Sequence, residues 1–151
     1  MLRLVIAVVV VGGCSKSTED EIGREVLARR VPKLEAALAQ RNEIHATTEC
    51  AMLEGSISEM TPELAKRIER GCFVDAPSLI LTNGIAKVVE ANRKHADMAD
   101  LNCMELFVPG ALQTVAKHPV ADPALQKLVN EYTRLCPKEA AKARDSATAM
   151  P

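Results

Sequence analysis

Apolar residues recur at every third or fourth position along most of the chain, which is the spacing of one face of an α-helix. One stripe with spacings of three or four continues through Leu34, Leu38, Arg41, His45, Thr48 and Met52, and Ala37, Ile44 and Ala51 widen it. It predicts one long amphipathic helix that carries Cys50 close to its end. The sequence Gly55-Ser56-Ile57-Ser58 follows directly and predicts a break, because glycine and serine favour turns over helix interiors.

Two further helices are predicted by the residues at their start. Thr61 precedes Pro62 and Asp122 precedes Pro123. Each pair places an N-cap side chain before a proline, which is well tolerated in the first turn of a helix. The apolar positions that follow Pro62 also place Cys72 on the face that points into the core.

Prolines mark two more boundaries in the sequence. Asp75 and Pro77 predict the start of another helix, and Pro109-Gly110 predicts a turn. A short helix is expected after that turn, ending at His118.

No segment alternates between apolar and polar residues as a strand would, and no period of 20–50 residues repeats. The sequence therefore predicts an all-α domain over residues 19–137, a compact bundle of five or six helices. Residues 138–151 contain mainly alanine and charged side chains. We expect them to form a flexible tail, because they lack the large apolar side chains that would hold them on a core.

The first fourteen residues follow a different pattern. Arg3 precedes an unbroken apolar run from Leu4 to Val11, and Gly12 and Gly13 lead to Cys14. A basic start, a short apolar run and small residues before a cleavage point are typical of a secretory signal. The ending Val11-Gly12-Gly13-Cys14 resembles the lipobox of bacterial lipoproteins.

This resemblance implies that residues 1–13 are a signal peptide that is removed. It also implies that Cys14 becomes the mature N-terminus and carries acyl chains such as palmitate, with residues 14–18 forming a short tether. Ser15 stands where an aspartate would mark inner-membrane retention, so the implied location is the periplasmic face of the outer membrane. A transmembrane helix is the alternative, but the apolar run supplies only about half of the roughly 20 residues a span requires.

Charge and aromatic content argue against some classes of partner. Cleavage before Cys14 would remove Arg3 and lower the Lys and Arg count from 19 to 18, against 20 acidic residues, a formal charge of −2. The two signs are interspersed, so the chain lacks the basic patch that binds a phosphate backbone. The only aromatic residues are Phe73, Phe107 and Tyr132. We therefore expect no nucleic-acid partner.

With Cys14 assigned to lipid, four cysteines remain: Cys50, Cys72, Cys103 and Cys136. An even number is expected to form disulfides in an oxidising compartment. Four cysteines allow three connectivities. Pairing Cys50 with Cys72 and Cys103 with Cys136 is favoured because each bridge would join neighbouring helical segments, while the other two pairings stay open.

Few residues have a spacing that suggests chemistry. His45, Glu49 and Cys50 lie within about one helical turn of each other and form the one nearby triple that could bind a metal, although an ordinary surface pair explains them equally well. His95 and His118 are predicted near helix ends. No metal-binding Cys-x-x-Cys and no nucleophile motif occurs. The sequence predicts no catalytic residue, metal site or cofactor, and the chain is not expected to be an enzyme.

Two classes of function remain. The first is a small helical protein-binding module, held at the membrane by the acyl chains on Cys14 and docked on another envelope protein. In size and cellular location such a module is similar to the pilotins of secretion systems and to periplasmic immunity proteins. It predicts an exposed apolar patch. The alternative is a periplasmic small-ligand or metal-binding protein, which predicts a cavity with convergent polar groups.

Overall fold

The computed structural model describes residues 23–149, and seven helices lie between residues 31 and 148. Residues 23–28 are also helical and lead into the first of them. No β-strand occurs in this described range, so the all-α prediction is confirmed. The seven helices are α1 Val31–Ala39, α2 Glu43–Leu53, α3 Pro62–Lys94, α4 Ala99–Asn102, α5 Val108–Lys117, α6 Pro123–Leu135 and α7 Pro137–Thr148.

The predicted starts of α3 and α6 are confirmed. The Thr61 hydroxyl accepts a hydrogen bond from the Leu64 N–H at 3.4 Å, and the Asp122 carboxylate accepts one from the Leu125 N–H at 2.9 Å. These caps satisfy backbone donors that have no partner within the helix. The Leu125 N–H, assisted by the Arg70 guanidinium, lowers the pKa of Asp122.

The prediction of one helix from Leu34 to Met52 is wrong. The chain breaks between α1 and α2, where Arg41 adopts a left-handed backbone conformation with φ of 54°. Asn42 then caps α2 by accepting a hydrogen bond from the His45 N–H at 3.1 Å. The apolar spacing continues across the break because α1 and α2 pack on the same core, so periodicity alone could not locate it.

The predicted helix start at Asp75–Pro77 is correct in that α-helical hydrogen bonding begins at Ala76 with Pro77 in its first turn, but the chain is not broken there. The chain stays helical through this region, and Gly71–Asp75 forms a π-helical turn within α3. The Ala76 N–H donates to the Gly71 carbonyl, five residues earlier. This change of hydrogen-bond register accommodates Pro77, which has no N–H to donate.

Pro109 and Pro137 lie in the first turns of α5 and α7. Pro109-Gly110 therefore belongs to a helix and not to the predicted turn, because the first turn does not need the N–H that proline lacks. The predicted flexible tail is likewise wrong for residues 138–148. They form most of α7, in which Ala140 and Ala143 are buried. Small side chains allow this helix to approach α5 closely.

The buried side chains form two clusters that α3 connects. The N-terminal core joins α1, α2 and the first half of α3 around Leu34, Leu53 and Ile68. The C-terminal core joins the second half of α3 to α5, α6 and α7, with Tyr132 and Leu81 at its centre. Among the described residues, α3 is the one helix long and apolar enough to cross a membrane, but 61% of its apolar window is buried in the domain. It is the central helix of both cores.

Two glycines allow α3 to approach its neighbours. A Cβ atom on Gly71 would lie 2.8 Å from Leu34 Cδ2, and one on Gly84 would lie 2.5 Å from Val108 Cγ2. Both distances are too short for carbon atoms in contact. A larger residue at either position would require the Leu34 or Val108 side chain, or the helix that carries it, to shift.

Each core contains one disulfide. Cys50 is bonded to Cys72 in the N-terminal core, and Cys103 is bonded to Cys136 in the C-terminal core, with Cα–Cα distances of 5.3 and 5.6 Å. The favoured connectivity is confirmed. The first bridge joins α2 to the π-helical turn of α3, and the second joins the segment after α4 to the end of α6.

Candidate functional site

The segment between α3 and α5 exposes large apolar side chains. The exposed fraction is 40% for Met98, 62% for Leu101, 71% for Met104 and 82% for Leu106. Single exposed apolar residues are common, but four within nine positions require an explanation.

The backbone of this segment is held in place despite that exposure. Cys103 is bonded to Cys136, and the Cys103 carbonyl accepts a hydrogen bond from the buried Tyr132 hydroxyl at 2.9 Å. The Asn102 side chain donates to the His95 carbonyl at 3.0 Å. Because the backbone is fixed at these points, the apolar side chains are displayed to solvent by a rigid support.

The same segment lines two shallow grooves. Leu101, Cys103 and Met104 line a groove of about 280 Å³ beside the Cys103–Cys136 disulfide, together with the start of α7. Leu106 and Phe107 line a groove of about 210 Å³ above the Cys50–Cys72 disulfide, between α2, α3 and α5. We call Leu101–Phe107 and these two grooves the apolar surface.

Most of the second groove is built from small or apolar side chains. Ala51, Ala76 and Pro77 contribute to its walls, and Gly110 and Ala111 contribute from α5. Small side chains leave room between the two halves of the domain, so a side chain of a bound partner could enter there. The Cys50–Cys72 disulfide borders this groove, and the Cys103–Cys136 disulfide borders the other one.

Ion pairs flank the apolar surface on both sides. Lys138 binds Asp100, and Lys87 binds Glu105 at 3.1 Å and Glu43 at 3.5 Å. The hydrogen bond that Lys138 donates to Asp100 raises the pKa of Lys138, and the one that Lys87 donates to Glu105 is the main cause that raises the pKa of Lys87. All of these groups retain solvent contact, so the pairs orient side chains more than they stabilise the fold.

Tyr132 supports the apolar surface from below. Burial raises the pKa of its hydroxyl to about 12, and the negative charges of Glu139 and Glu105 contribute in the same direction. The hydroxyl is therefore neutral at physiological pH and remains a donor to the Cys103 carbonyl.

The residues singled out by the sequence are not brought together into a chemical site. Cys14 lies outside the described residues. Glu49 is bound to Arg30 at 3.0 Å, and Cys50 is in a disulfide, so His45 has no metal-binding partner in that triple. Across residues 23–149, no three His, Cys, Asp or Glu side chains are grouped so that they could hold a metal.

The other two histidines lie at helix ends, as predicted. The His95 N–H caps the end of α3 and the His118 N–H caps the end of α5. The His118 ring also stacks on Phe73, with ring centroids 3.9 Å apart.

A wide cleft of about 480 Å³ lies beside this stacked pair, at the π-helical turn. It is lined by both signs of charge, including Lys66 and Glu69. Arg70, also in its lining, is bound to Asp75 and Asp122, each at 3.0 Å. Among the described residues that line the cleft, Lys66, Arg70 and Lys117 are cationic and Glu69 is the carboxylate.

Sequence reasoning missed the apolar surface. The available signal was a segment in which Leu101, Met104 and Leu106 alternate with polar residues between two helices. Such a segment is too short to bury an apolar stripe of its own, and α4 has only four residues. Whether its side chains are covered depends on the tertiary fold.

Comparison with known proteins adds no assignment, since the chain matches no family model, no curated protein and no solved structure.

Proposed function

We propose that this chain is a membrane-anchored lipoprotein of the bacterial cell envelope whose helical domain binds a partner protein through the apolar surface. The observation that carries the proposal is the exposure of Leu101, Met104 and Leu106 on a backbone held by a disulfide. A patch of this kind is costly to leave in water unless it binds something.

Observations other than the apolar surface support the proposed location in the cell envelope. The lipobox-like ending Val11-Gly12-Gly13-Cys14 provides an acylation site, and two disulfides suit a compartment that oxidises thiols. Two or more acyl chains anchor a protein stably. The partner is expected to be another envelope protein within reach of the tether, at the periplasmic face of the outer membrane.

Binding requires little rearrangement in this proposal. The two grooves are already formed, and a disulfide borders each one. Preformed surfaces lose less conformational entropy on association than flexible ones do. Leu106 and Met104 would contact the partner first, because they are the most exposed side chains of the segment.

Site-specific photo-crosslinking in the organism that encodes the chain tests this proposal. Leu106 or Met104 is replaced by a photoreactive amino acid, and the exposed Lys127 on α6 is replaced in the same way as the control. We expect one discrete protein adduct from the first two positions and none from the control. Thiol labelling of each variant checks that both disulfides have formed.

The proposal fails if all three positions give the same adducts. It also fails if Leu106 and Met104 give no protein adduct while the variants accumulate normally. Adducts to lipid alone at Leu106 and Met104 would assign the apolar surface to membrane contact and would equally contradict a protein partner.

A further inference from the structure

Negatively charged side chains predominate around the apolar surface. Asp100 and Glu139 line the groove at the second disulfide, and Glu54 lines the groove at the first. Glu105 lies within the segment itself, and its partner Lys87 also binds Glu43.

Only two cations offset these five carboxylates. Lys138 is bound to Asp100, and Lys87 is shared by Glu105 and Glu43. The set therefore has more negative than positive groups at neutral pH. Glu54 and Glu139 line the grooves without appearing in any of the ion pairs that surround the apolar surface.

The direction in which the pKa of Tyr132 shifts agrees with this charge distribution. Burial is the main cause that raises the pKa of the Tyr132 hydroxyl, and the negative charges of Glu139 and Glu105, which belong to different elements, act in the same direction. Both carboxylates therefore contribute negative potential at the buried hydroxyl beneath the apolar surface.

We propose that the partner segment is a cationic amphipathic one, with apolar side chains that enter the grooves and Lys or Arg residues at their edges. This inference rests on the proposed function and specifies the chemistry of the partner. Opposite charge around an apolar centre speeds association and selects the partner, whereas a like-charged segment would be repelled.

The same charges argue against a membrane as the ligand of this face. Anionic lipid headgroups would meet Glu54, Asp100 and Glu139 at the point where the apolar side chains would have to insert. A lysine- or arginine-flanked protein segment meets the same carboxylates with favourable electrostatics.

Two synthetic peptides test the inference. They share one amphipathic design and the same leucine face, and differ only in carrying lysines or glutamates on the polar face. The whole chain, as cells process it, is held in nanodiscs of zwitterionic lipid, and fluorescence anisotropy measures peptide binding above empty nanodiscs.

Three variants separate the contributions. E54Q/E139Q removes two groove carboxylates, and E69Q/D145N removes two carboxylates that line neither groove. M104Q/L106Q removes two exposed apolar side chains and leaves the charges unchanged.

We expect the lysine peptide to bind and the glutamate peptide to fail. E54Q/E139Q is expected to weaken binding about fivefold, with a shallower salt dependence, because exposed charge pairs contribute modestly and are screened by salt. E69Q/D145N should leave the affinity unchanged, and M104Q/L106Q should abolish binding.

Equal binding of both peptides, lost in M104Q/L106Q, would overturn the charge inference and leave the apolar surface as a docking site. Equal loss in E54Q/E139Q and E69Q/D145N would also overturn it, since net charge alone would then explain binding. If M104Q/L106Q binds the lysine peptide like the unaltered chain, or if neither peptide binds, the proposed function itself is contradicted.

Discussion

Replacing both Cys103 and Cys136 with alanine is expected to lower the free energy of unfolding by about 4 kcal/mol. The bridge closes a loop with a sequence separation of 33 residues, and chain-entropy arguments assign roughly 3–4 kcal/mol to a loop of that length. Loss of two buried sulfur atoms from the C-terminal core adds to the cost. Urea unfolding measures the change.

The same variant should release Leu101–Phe107 from its support. Removing the Cys50–Cys72 bridge in a matched C50A/C72A variant provides the control, with a separation of 22 residues and an expected cost of about 3 kcal/mol. Hydrogen exchange should rise across residues 101–107 in C103A/C136A and much less in C50A/C72A. Equal exchange of this segment in both variants would show that the second disulfide does not hold the apolar surface.

Substituting Tyr132 is the second change with a large expected effect. Tyr132 is fully buried at the centre of the C-terminal core, so Tyr132→Ala should lower the free energy of unfolding by about 4 kcal/mol. Tyr132→Phe retains the ring and loses only the hydrogen bond to the Cys103 carbonyl, for an expected loss of about 1–2 kcal/mol. A loss of similar size in both variants would contradict the assignment of most of the effect to packing.

Tyr132 also provides its own spectroscopic test, because it is the only tyrosine and the chain has no tryptophan. Its phenolate absorbance should appear with a midpoint near pH 12 in the folded protein and near pH 10 after unfolding. The unfolded chain therefore loses this proton first, and the free energy of unfolding should fall as the pH rises from about 10 to about 12. The Tyr132→Phe variant should lack this part of the pH dependence of the free energy of unfolding. A folded-state midpoint near 10 would mean that the hydroxyl is accessible to water.

Local chemistry was sufficient to predict several features of this fold. The starts of α3 and α6 depend on Thr61 and Asp122, whose side chains cap the backbone three residues later. The order of the helical segments favoured the observed disulfide pairing, because each bridge joins neighbouring segments, but it left the other two pairings open. For the two caps, the deciding interaction lies within one helical turn in sequence.

Features that depend on tertiary contacts could not be predicted in this way. The first predicted helix is interrupted at Arg41, where the backbone adopts a left-handed conformation. The apolar spacing gives no indication of this conformation. Pro77 stays inside α3 because a π-helical turn precedes it, and Ala140 holds α7 on a core although alanine buries little area. The apolar surface also depends on tertiary contacts, because the exposure of Leu106 is set by which side chains the rest of the fold covers.

The disulfides explain why a small domain can leave a groove open between its two cores. Each bridge fixes one wall of a groove to α3 or α6. A partner segment that fills the groove would then add contacts to a domain that is already folded. Binding of such a segment should raise the free energy of unfolding by RT ln(1 + L/Kd), where L is the free concentration of the segment.

The intact mass of the chain, purified from the membranes of the organism that encodes it, tests the central claim that this domain works from a lipid anchor in an oxidising compartment. We predict a polypeptide that begins at Cys14, is heavier than its sequence by the mass of its acyl chains, and gains about 4 Da when two disulfides are reduced. A chain that retains residues 1–13, lacks acyl groups on Cys14 or contains four free thiols would contradict a lipid-anchored, disulfide-bonded domain.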